Sequence, residues 1–416
     1  MIFYYNQSYN LIRGFVMQKH TQVKGFEKFK IVIILALMSS IAPLSTDMYL
    51  PALAKVQESF QTSSFLTQLS LASFFVAFAL GQLIYGPLSD IFGRKKPLYV
   101  GIVLFMLSSL SCVLVDSVEA FIVLRFFEAL GGCAGVVIAR AIVNDLFELK
   151  EAASIFALMM VVSSIAPMLS PTFGSLLLEF FSWYSIFIVL FMLGIILLLL
   201  LIFVLKESAP KRGEVKFSQK EIIKSYKSVL NDKLFMIYAI SGALAIGGMF
   251  AYITGSSFVF TQFFGLSEQK YGILFGINAL GFVIFANINA KIVLKYSPYI
   301  ILPKAFKAMF VLSVILVVSA FFTTNFWFFE LALFFTIGML GFLMPNITTL
   351  AMARFASNHS GTASAVLGTT QFAFAGVVSF IVGILNANSP LFLGSVIAIC
   401  CFLAVLTYTL HKKYGD

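Results

Sequence analysis

The sequence predicts an all-α membrane protein of about twelve transmembrane helices in two pseudo-symmetric six-helix halves. Hydrophobic residues make up 60% of the 416 residues and charged residues only 11%, which leaves too little polar surface to cover a soluble globule. Apolar runs of roughly 20 residues recur along the chain, and each is long enough to cross a bilayer as a helix. Membrane barrel strands are excluded because they are about ten residues long and alternate in polarity.

The predicted spans lie in two groups of six around one hydrophilic segment. They cover residues 31–53, 66–88, 98–115, 120–143, 153–176, 184–204, 234–260, 271–293, 301–322, 326–351, 362–384 and 391–410. The predicted organisation is an N-terminal segment (1–30), a first bundle (31–205), a linker (206–233), a second bundle (234–410) and a tail (411–416). Weak echoes between the halves indicate a parallel duplication of the kind found in transporters. The Lys-rich linker fits either an amphipathic helix on the membrane surface or a solvated connection.

The cations are distributed unevenly among the predicted loops. Of 28 Lys and Arg residues, 24 lie on the side that carries both termini; Lys55 and Lys270 lie on the other side, and Arg125 and Arg140 lie within the fourth span. This positive-inside bias predicts that both termini are cytoplasmic. The positions of the cations follow the membrane topology, so the net charge of +10 does not indicate nucleic-acid binding. We expect the lipid bilayer as the surroundings of the chain and no nucleic acid as a partner.

Several other classes of function lack their sequence signals. The four cysteines fall inside predicted spans, where they fit as small packing residues, and they form no disulfide or metal pattern. The three histidines lie in loops or at chain ends, and there is no phosphate-binding GxxxxGK[ST] loop. The N-terminal stretch lacks the pattern of a cleaved signal peptide, although Met1 and Met17 are alternative starts. We therefore expect neither an enzyme nor an ATP-driven pump, and no bound cofactor.

Ionisable residues inside the predicted spans are few, and those singled out are Asp47, Arg125, Glu128, Arg140 and Glu330. Each costs at least a few kcal/mol if it faces lipid, so each should face the bundle interior. Asp47 and Arg125 fall at a similar depth, roughly 8 to 9 Å below the membrane boundary, and Glu128 shares a helix face with Arg125. We predict a cluster of these three, with Asp47 as the main proton carrier and Glu128 as a secondary one. A static ion pair that fixes two helices is the alternative.

Prolines and isolated polar residues give further candidates. The fifth span contains Pro167, Pro171 and Gly174, which predict a bent helix that is either a rocking element or merely kinked. Polar side chains elsewhere are candidates for contact with a small-molecule substrate, or else form hydrogen bonds between helices. These side chains are Tyr49, Tyr252, Asn346 and Gln371.

The stretch GPLSDIFGRKKPL at 86–98 concentrates charge in an otherwise apolar region. It resembles the loop between the second and third helices of the major facilitator superfamily. The matching residues are Gly86, Asp90, Gly93, Arg94 and Lys95. The resemblance implies that the Asp and Arg of this loop latch the cytoplasmic side shut in the outward-facing state, with Asp145 as the best partner for Arg94. Without the resemblance, the glycines indicate a tight turn and the cations a topology signal.

Three further segments resemble the bicyclomycin and chloramphenicol resistance (Bcr/CflA) drug/proton antiporters within that superfamily. They are STDMYLPAL at 45–53, RFFEALGGCAGVVIARAIVNDLF at 125–147 and the Pro-rich fifth span. The resemblance implies a monomer in a bacterial inner membrane that exports amphipathic molecules or drugs by alternating access, driven by the proton gradient. An exporter or importer of one metabolite, such as a siderophore or a nutrient, would share these features.

The chain also departs from the family pattern. Glu128 stands where the family usually has Gln, and Ser170 and Ser175 replace two glycines of the fifth-helix antiporter motif. The second-half counterpart of the charged loop lacks its Asp, and Gly255 occupies the place of Asp47. We therefore expect proton coupling to be concentrated in the first half.

Overall fold

The computed structural model describes most of the chain as a helical bundle. The described residues are 25–147, 155, 159, 166, 169–208, 219–322, 325–355, 360–385 and 389–411, and none of them forms a strand. The first-half helices are α1 Gly25–Asp47, α2 Leu53–Ser59, α3 Ser64–Phe92, α4 Lys95–Ser111, α5 Val118–Leu146, α6 over residues 169–180 and α7 Tyr184–Phe203. The rest are α8 Gln219–Asn231, α9 Lys233–Phe258, α10 Glu268–Ile292, α11 Pro298–Phe321, α12 Phe326–Gly338, α13 Leu340–Ala353, α14 Ser360–Ile384 and α15 Pro390–Thr409.

Side-chain caps fix where many of these helices begin. A polar side chain before the first turn accepts a hydrogen bond from a backbone N–H that has no partner inside the helix. The capping residues are Ser63, Ser117, Asp232, Ser267, Ser297, Asn325 and Ser389. The loops of this apolar chain therefore keep short polar residues where a helix must start.

The predicted fold class is confirmed, and the structure refines the predicted spans. Ten helical segments of the described residues are long and apolar enough to cross a membrane. The third predicted span corresponds to α4, which has only 17 residues. Most of the fifth predicted span, 153–176, lies outside the described residues, and α6 is its described end.

The first span differs most from its prediction. A continuous helix over 31–53 is wrong, because α1 ends at Asp47 and a 3-10 turn, Leu50–Ala52, leads into α2. Pro51 explains the break: it lacks a backbone N–H, and its ring crowds the carbonyl four residues earlier, which is that of Asp47. The apolar span continues to Ser59, beyond the predicted end at residue 53. The tenth predicted span is likewise interrupted, at Met339.

Each half forms its own bundle, and the two halves meet along one long seam. In the first half α5 packs against α3, α4 and α1; in the second half α9 packs against α13, α14 and α15. The seam joins α3 to α14. Aromatic rings fill it, with ring centroids of Phe75 and Phe250 4.6 Å apart and those of Phe78 and Phe372 also 4.6 Å apart.

The two ends of the bundle differ in how the halves touch. We call the end where α1 begins and α15 ends the terminal face, and the other end the opposite face. At the opposite face, Lys55 Nζ lies 3.6 Å from Glu268 Oε1, and the Thr172 hydroxyl donates to the Gly272 carbonyl. A Cβ on Gly272 would lie 2.9 Å from the Pro171 carbonyl oxygen, so glycine is what permits this approach. The halves are therefore closed against each other at the opposite face.

Candidate functional site

Arg125 and Glu128 form an ion pair in the interior of the first half. Both side chains are fully buried, and Arg125 Nη1 donates to Glu128 Oε2 at 2.7 Å. The guanidinium also lies over the rings of Phe74 and Tyr49, with its Cζ 4.6 and 4.9 Å from their centroids. Aromatic faces attract a cation, so the charge of Arg125 is compensated on several sides.

Arg125 also holds the broken end of the first helix. Because α1 stops at Asp47, its last carbonyls lack the N–H that would follow in a continuing helix. Arg125 Nη2 donates to one of them, the Ser45 carbonyl oxygen, at 3.0 Å. A cation at a helix C-terminus is also favourable with respect to the helix dipole. The residue therefore fastens α1 to α5 at membrane depth.

Asp47 lies beside this pair but outside it. It is 4% exposed, and its Oδ1 accepts a hydrogen bond from the Thr46 hydroxyl at 2.9 Å. In the described part of the chain, no cation lies within ion-pair distance of its carboxylate. The 3-10 turn that follows it, Leu50–Ala52, contacts α9 and α10 of the second half. Asp47 thus sits between the two halves.

The predicted cluster of Asp47, Arg125 and Glu128 is therefore only partly assembled in this arrangement. Arg125 binds Glu128 and the Ser45 backbone, which agrees with the alternative of a static ion pair that fixes two helices. Asp47 is not part of this ion pair. The reason is the helix break, which presents the Ser45 carbonyl to the guanidinium ahead of the Asp47 side chain. The sequence signal for it was Pro51. The predicted proton-carrying role of Asp47 stays a prediction.

The second half contains a buried carboxylate of its own, Glu330. It is 5% exposed, and its Oε1 accepts a hydrogen bond from Asn278 Nδ2 at 2.9 Å. The same amide nitrogen donates to the Tyr252 hydroxyl at 3.1 Å. Asn278 was not singled out in the sequence, because a lone Asn in an apolar span carries no distinguishing spacing.

The four residues predicted to contact substrate have different surroundings. The Tyr49 hydroxyl bonds Ser70 at 3.1 Å, and Asn346 donates to the Asn289 side chain at 2.8 Å. Tyr49, Asn346 and Tyr252 are all buried and form hydrogen bonds within their own half. This agrees with the alternative that such polar side chains form hydrogen bonds between helices. Gln371 is only half-buried. Substrate contact by any of the four stays a prediction.

The charged loop at 86–98 forms a second polar cluster, at the terminal face. Arg94 pairs with Asp145, the partner that the resemblance named: its Nε donates to Asp145 Oδ2 at 2.7 Å and its Nη2 to Oδ1 at 3.2 Å. Both residues belong to the first half, and a latch role for the pair stays a prediction. Gly93 has a φ of +83°, a conformation that favours glycine. The side chain of Asp90 lies outside the described residues, and a Cβ on Gly86 would meet nothing within 4 Å.

Glu207, at the start of the linker, belongs to this cluster and was missed in the sequence. Its two carboxylate oxygens accept hydrogen bonds from the backbone N–H groups of Arg94 and Lys95, at 2.9 and 3.1 Å. A carboxylate at a helix N-terminus satisfies unpaired donors and complements the helix dipole. Ser208 adds a bond from its hydroxyl to Asp145 at 3.1 Å. The linker thus caps α4.

The fifth-span motif is described in part. Pro167 lies outside the described residues. Pro171 and Gly174 lie in α6 at contacts with other elements: Pro171 faces Gly272, and a Cβ on Gly174 would collide with the Met48 carbonyl. This segment therefore packs both against the second half and against the break after α1.

Comparison with known proteins identifies the family. The sequence model of the Major Facilitator Superfamily matches residues 35–380. The chain belongs to the Major Facilitator Superfamily. Among relatives of this superfamily, an uncharacterized MFS-type transporter YdgK of Bacillus subtilis is 34% identical over 92% of this chain and 96% of its own length. A bicyclomycin resistance protein homolog of Haemophilus influenzae is 26% identical over 91% of this chain and 95% of its own length.

The fold agrees with this membership. A D-xylose-proton symporter structure superposes with a TM-score of 0.75 over 91% of this chain and 96% of its own, at 15% identity. The match therefore shows the fold alone. The superfamily and antiporter resemblance drawn from the sequence is confirmed at the level of the family. The chain is a multi-pass membrane transporter of small molecules and not an enzyme.

Proposed function

We propose that this chain is a proton-coupled secondary transporter that exports amphipathic small molecules or drugs by alternating access. The observation that carries the proposal is the position of Asp47. It is a buried carboxylate at a helix break between the two halves, without a cation at ion-pair distance among the described residues. An ionised carboxylate in such a place is costly, and taking up a proton removes that cost. Protonation of Asp47 would therefore bias how the halves pack.

The arrangement of the halves supports alternating access. Lys55 and Glu268 join the halves at the opposite face, whereas the Arg94–Asp145 and Arg354–Asp232 ion pairs of the terminal face each stay within one half. The excess of Lys and Arg on the terminal side favours placing it in the cytoplasm. On that assignment the structure is an inward-facing form of a bacterial inner-membrane protein. The relative named for bicyclomycin resistance favours drug-like substrates.

The test uses inverted vesicles, whose cytoplasmic side faces the medium, so that export carries a fluorescent drug from the medium into the vesicle. Transport is measured with and without an imposed proton gradient. The wild type is compared with Asp47→Asn, which keeps the shape of the side chain. Asp116→Asn is the matched control, because Asp116 is an exposed acid in the α4–α5 loop. We expect gradient-driven transport in the wild type and the control and none in Asp47→Asn. Transport that needs no gradient, or that survives in Asp47→Asn, would refute the coupling role.

A competition profile separates the two substrate classes. Inhibition of dye efflux by several chemically unrelated amphipathic compounds is the outcome expected for drug export. Competition by one metabolite only, such as a siderophore or a nutrient, would contradict drug export and favour a dedicated transporter on the same fold.

A further inference from the structure

Glu330 is a buried acid for which the coupling scheme above has no role. Its Oε1 has one neutral donor, Asn278, and its Oε2 is buried with no hydrogen-bond partner in the part of the chain that the structure describes. In the interior an ionised carboxylate needs a cation or several donors to offset its lost hydration. Glu330 has one amide. The site as it stands suits a neutral carboxylic acid better than a carboxylate.

Within the described ranges, the elements packed around Glu330 bring no positive charge to it. α12 packs against α10, α11 and α13, and α13 contains no ionisable residue before its C-terminal end. On α11, Lys307 lies about 21 Å from the end that adjoins α12. On α10, Lys270 and Lys291 lie about 12 and 20 Å along the helix from Asn278. The hydroxyl of Tyr252 is bonded to the same Asn278 amide as Glu330.

We propose that Glu330 is a second proton-binding site of this transporter, loaded in the arrangement described here. A proton is the ligand that a buried carboxylate without a neighbouring cation accepts, and it needs no cavity. Glu330 supplies to the second half the acid that Gly255, at the place of Asp47, does not. Proton binding is therefore distributed over both halves rather than confined to the first.

Infrared spectroscopy of the purified transporter tests proton binding without any substrate, so its result does not depend on the proposed function. A protonated carboxyl has a C=O stretching band that an ionised one lacks. We expect a wild-type band near neutral pH that shifts in D₂O, disappears on alkaline titration and loses one component in Glu330→Gln. Asp116→Asn is the control and should leave the band unchanged.

The substitution is mild, because the Gln carbonyl still accepts from Asn278. If Glu330→Gln nevertheless fails to fold, the alkaline titration of the wild type in H₂O and D₂O, compared with that of Asp47→Asn, decides the matter. A protonated-carboxyl component that persists in Asp47→Asn supports the proposal. Absence of any such component, or a folded Glu330→Gln with an unchanged band, would overturn it. A Glu330→Gln variant that keeps its full band and loses only cationic substrates would point to a substrate contact instead.

Discussion

The two halves of the molecule keep a buried acid in different ways. In the first half Glu128 is paired with Arg125 at 2.7 Å, and the guanidinium is further held by aromatic rings and the Ser45 carbonyl. In the second half the Oε1 of Glu330 accepts one hydrogen bond from the neutral amide of Asn278, and no cation among the described residues lies at ion-pair distance from this carboxyl. The first arrangement fixes a charge and fastens two helices, whereas the second has no fixed countercharge. Whether a buried acid is a structural anchor or a proton acceptor therefore depends on its neighbours.

The ion pairs of the terminal face also differ between the two halves, in how far their side chains are exposed. In the first half the Arg94 and Asp145 side chains are each 10% exposed, whereas in the second half Arg354 and Asp232 are 44% and 19% exposed. Asp145 and Arg354 both lie at the ends of the corresponding fourth and tenth predicted spans. The first half therefore encloses its ion pair, and the second half leaves its pair near water, where such pairs contribute little.

The largest effect should follow from breaking the first-half pair. Arg125→Met leaves the Glu128 carboxylate buried without its cation and the Ser45 carbonyl without its donor. Loss of one partner of a buried ion pair costs about 3 to 5 kcal/mol. We expect a large drop in the thermal unfolding midpoint in detergent, together with loss of transport.

The double variant Arg125→Met with Glu128→Gln is the control that isolates the stranded charge. It removes both charges, so it should be more stable than Arg125→Met. Its free energy of unfolding should stay about 1 to 3 kcal/mol below that of the wild type, because the Ser45 carbonyl still lacks its donor. A single variant as stable as the double one would mean that Glu128 is not held as a charged partner of Arg125.

A smaller effect is expected at the enclosed pair of the terminal face. Asp145→Asn keeps the size of the side chain and removes the charge that receives two hydrogen bonds from Arg94 and one from Ser208. Hydrogen bonds to charged groups contribute about 1.5 to 3 kcal/mol. The unfolding midpoint should fall accordingly, and Lys96→Gln, at an exposed cation of the same loop, should leave it unchanged. An unaltered midpoint in Asp145→Asn would contradict the enclosed character of this pair.

The smallest effect belongs to the exposed pair of the second half, and it depends on pH. Partial burial acts to raise the pKa of the Asp232 carboxyl, but hydrogen bonds from Arg354 and from the Phe235 backbone N–H outweigh it and hold that pKa below its ordinary value of 3.8. The stabilisation is therefore complete above pH 3.8 and is lost as the pH falls through the lower folded-state pKa. Asp232→Asn retains a good N-cap and should cost less than about 1 kcal/mol.

The measurement is the unfolding midpoint of wild type and Asp232→Asn between neutral and acidic pH. The difference between the two proteins should be small at neutral pH and should vanish in acid. A difference that grows on acidification would show that the sign assigned to this pair is wrong.

The sequence predicted the fold class and one of the polar clusters closely. Helix length, apolar composition and cation placement are local properties, so they predicted the spans, and the loop motif gave the Arg94–Asp145 pair. What the sequence missed depends on three-dimensional detail. Pro51 was read as the end region of a helix rather than as the cause of a break at Asp47, and this misplaced Asp47 relative to Arg125.

Long-range partners were the other source of error. Glu207 lies far along the chain from Arg94 and Lys95, and a Glu among the lysines of a linker reads as a solvated charge. Asn278 and Glu330 belong to different spans, and their contact depends on the rotation of two helices that no spacing rule determines. Coupling was expected in the first half because Gly255 stands at the place of Asp47, and this expectation stays a prediction.

The bond from Glu207 to the N-terminus of α4 has a consequence for dividing the chain. The segment that joins the halves contributes its first residues to the first half, so the bundle of α1 to α7 is complete only when Glu207 and Ser208 are attached to it. If the halves are produced as two co-expressed fragments, the cut belongs between residues 209 and 218. A cut after Phe203 would remove the acid that holds the start of α4 and leave the charged loop incomplete.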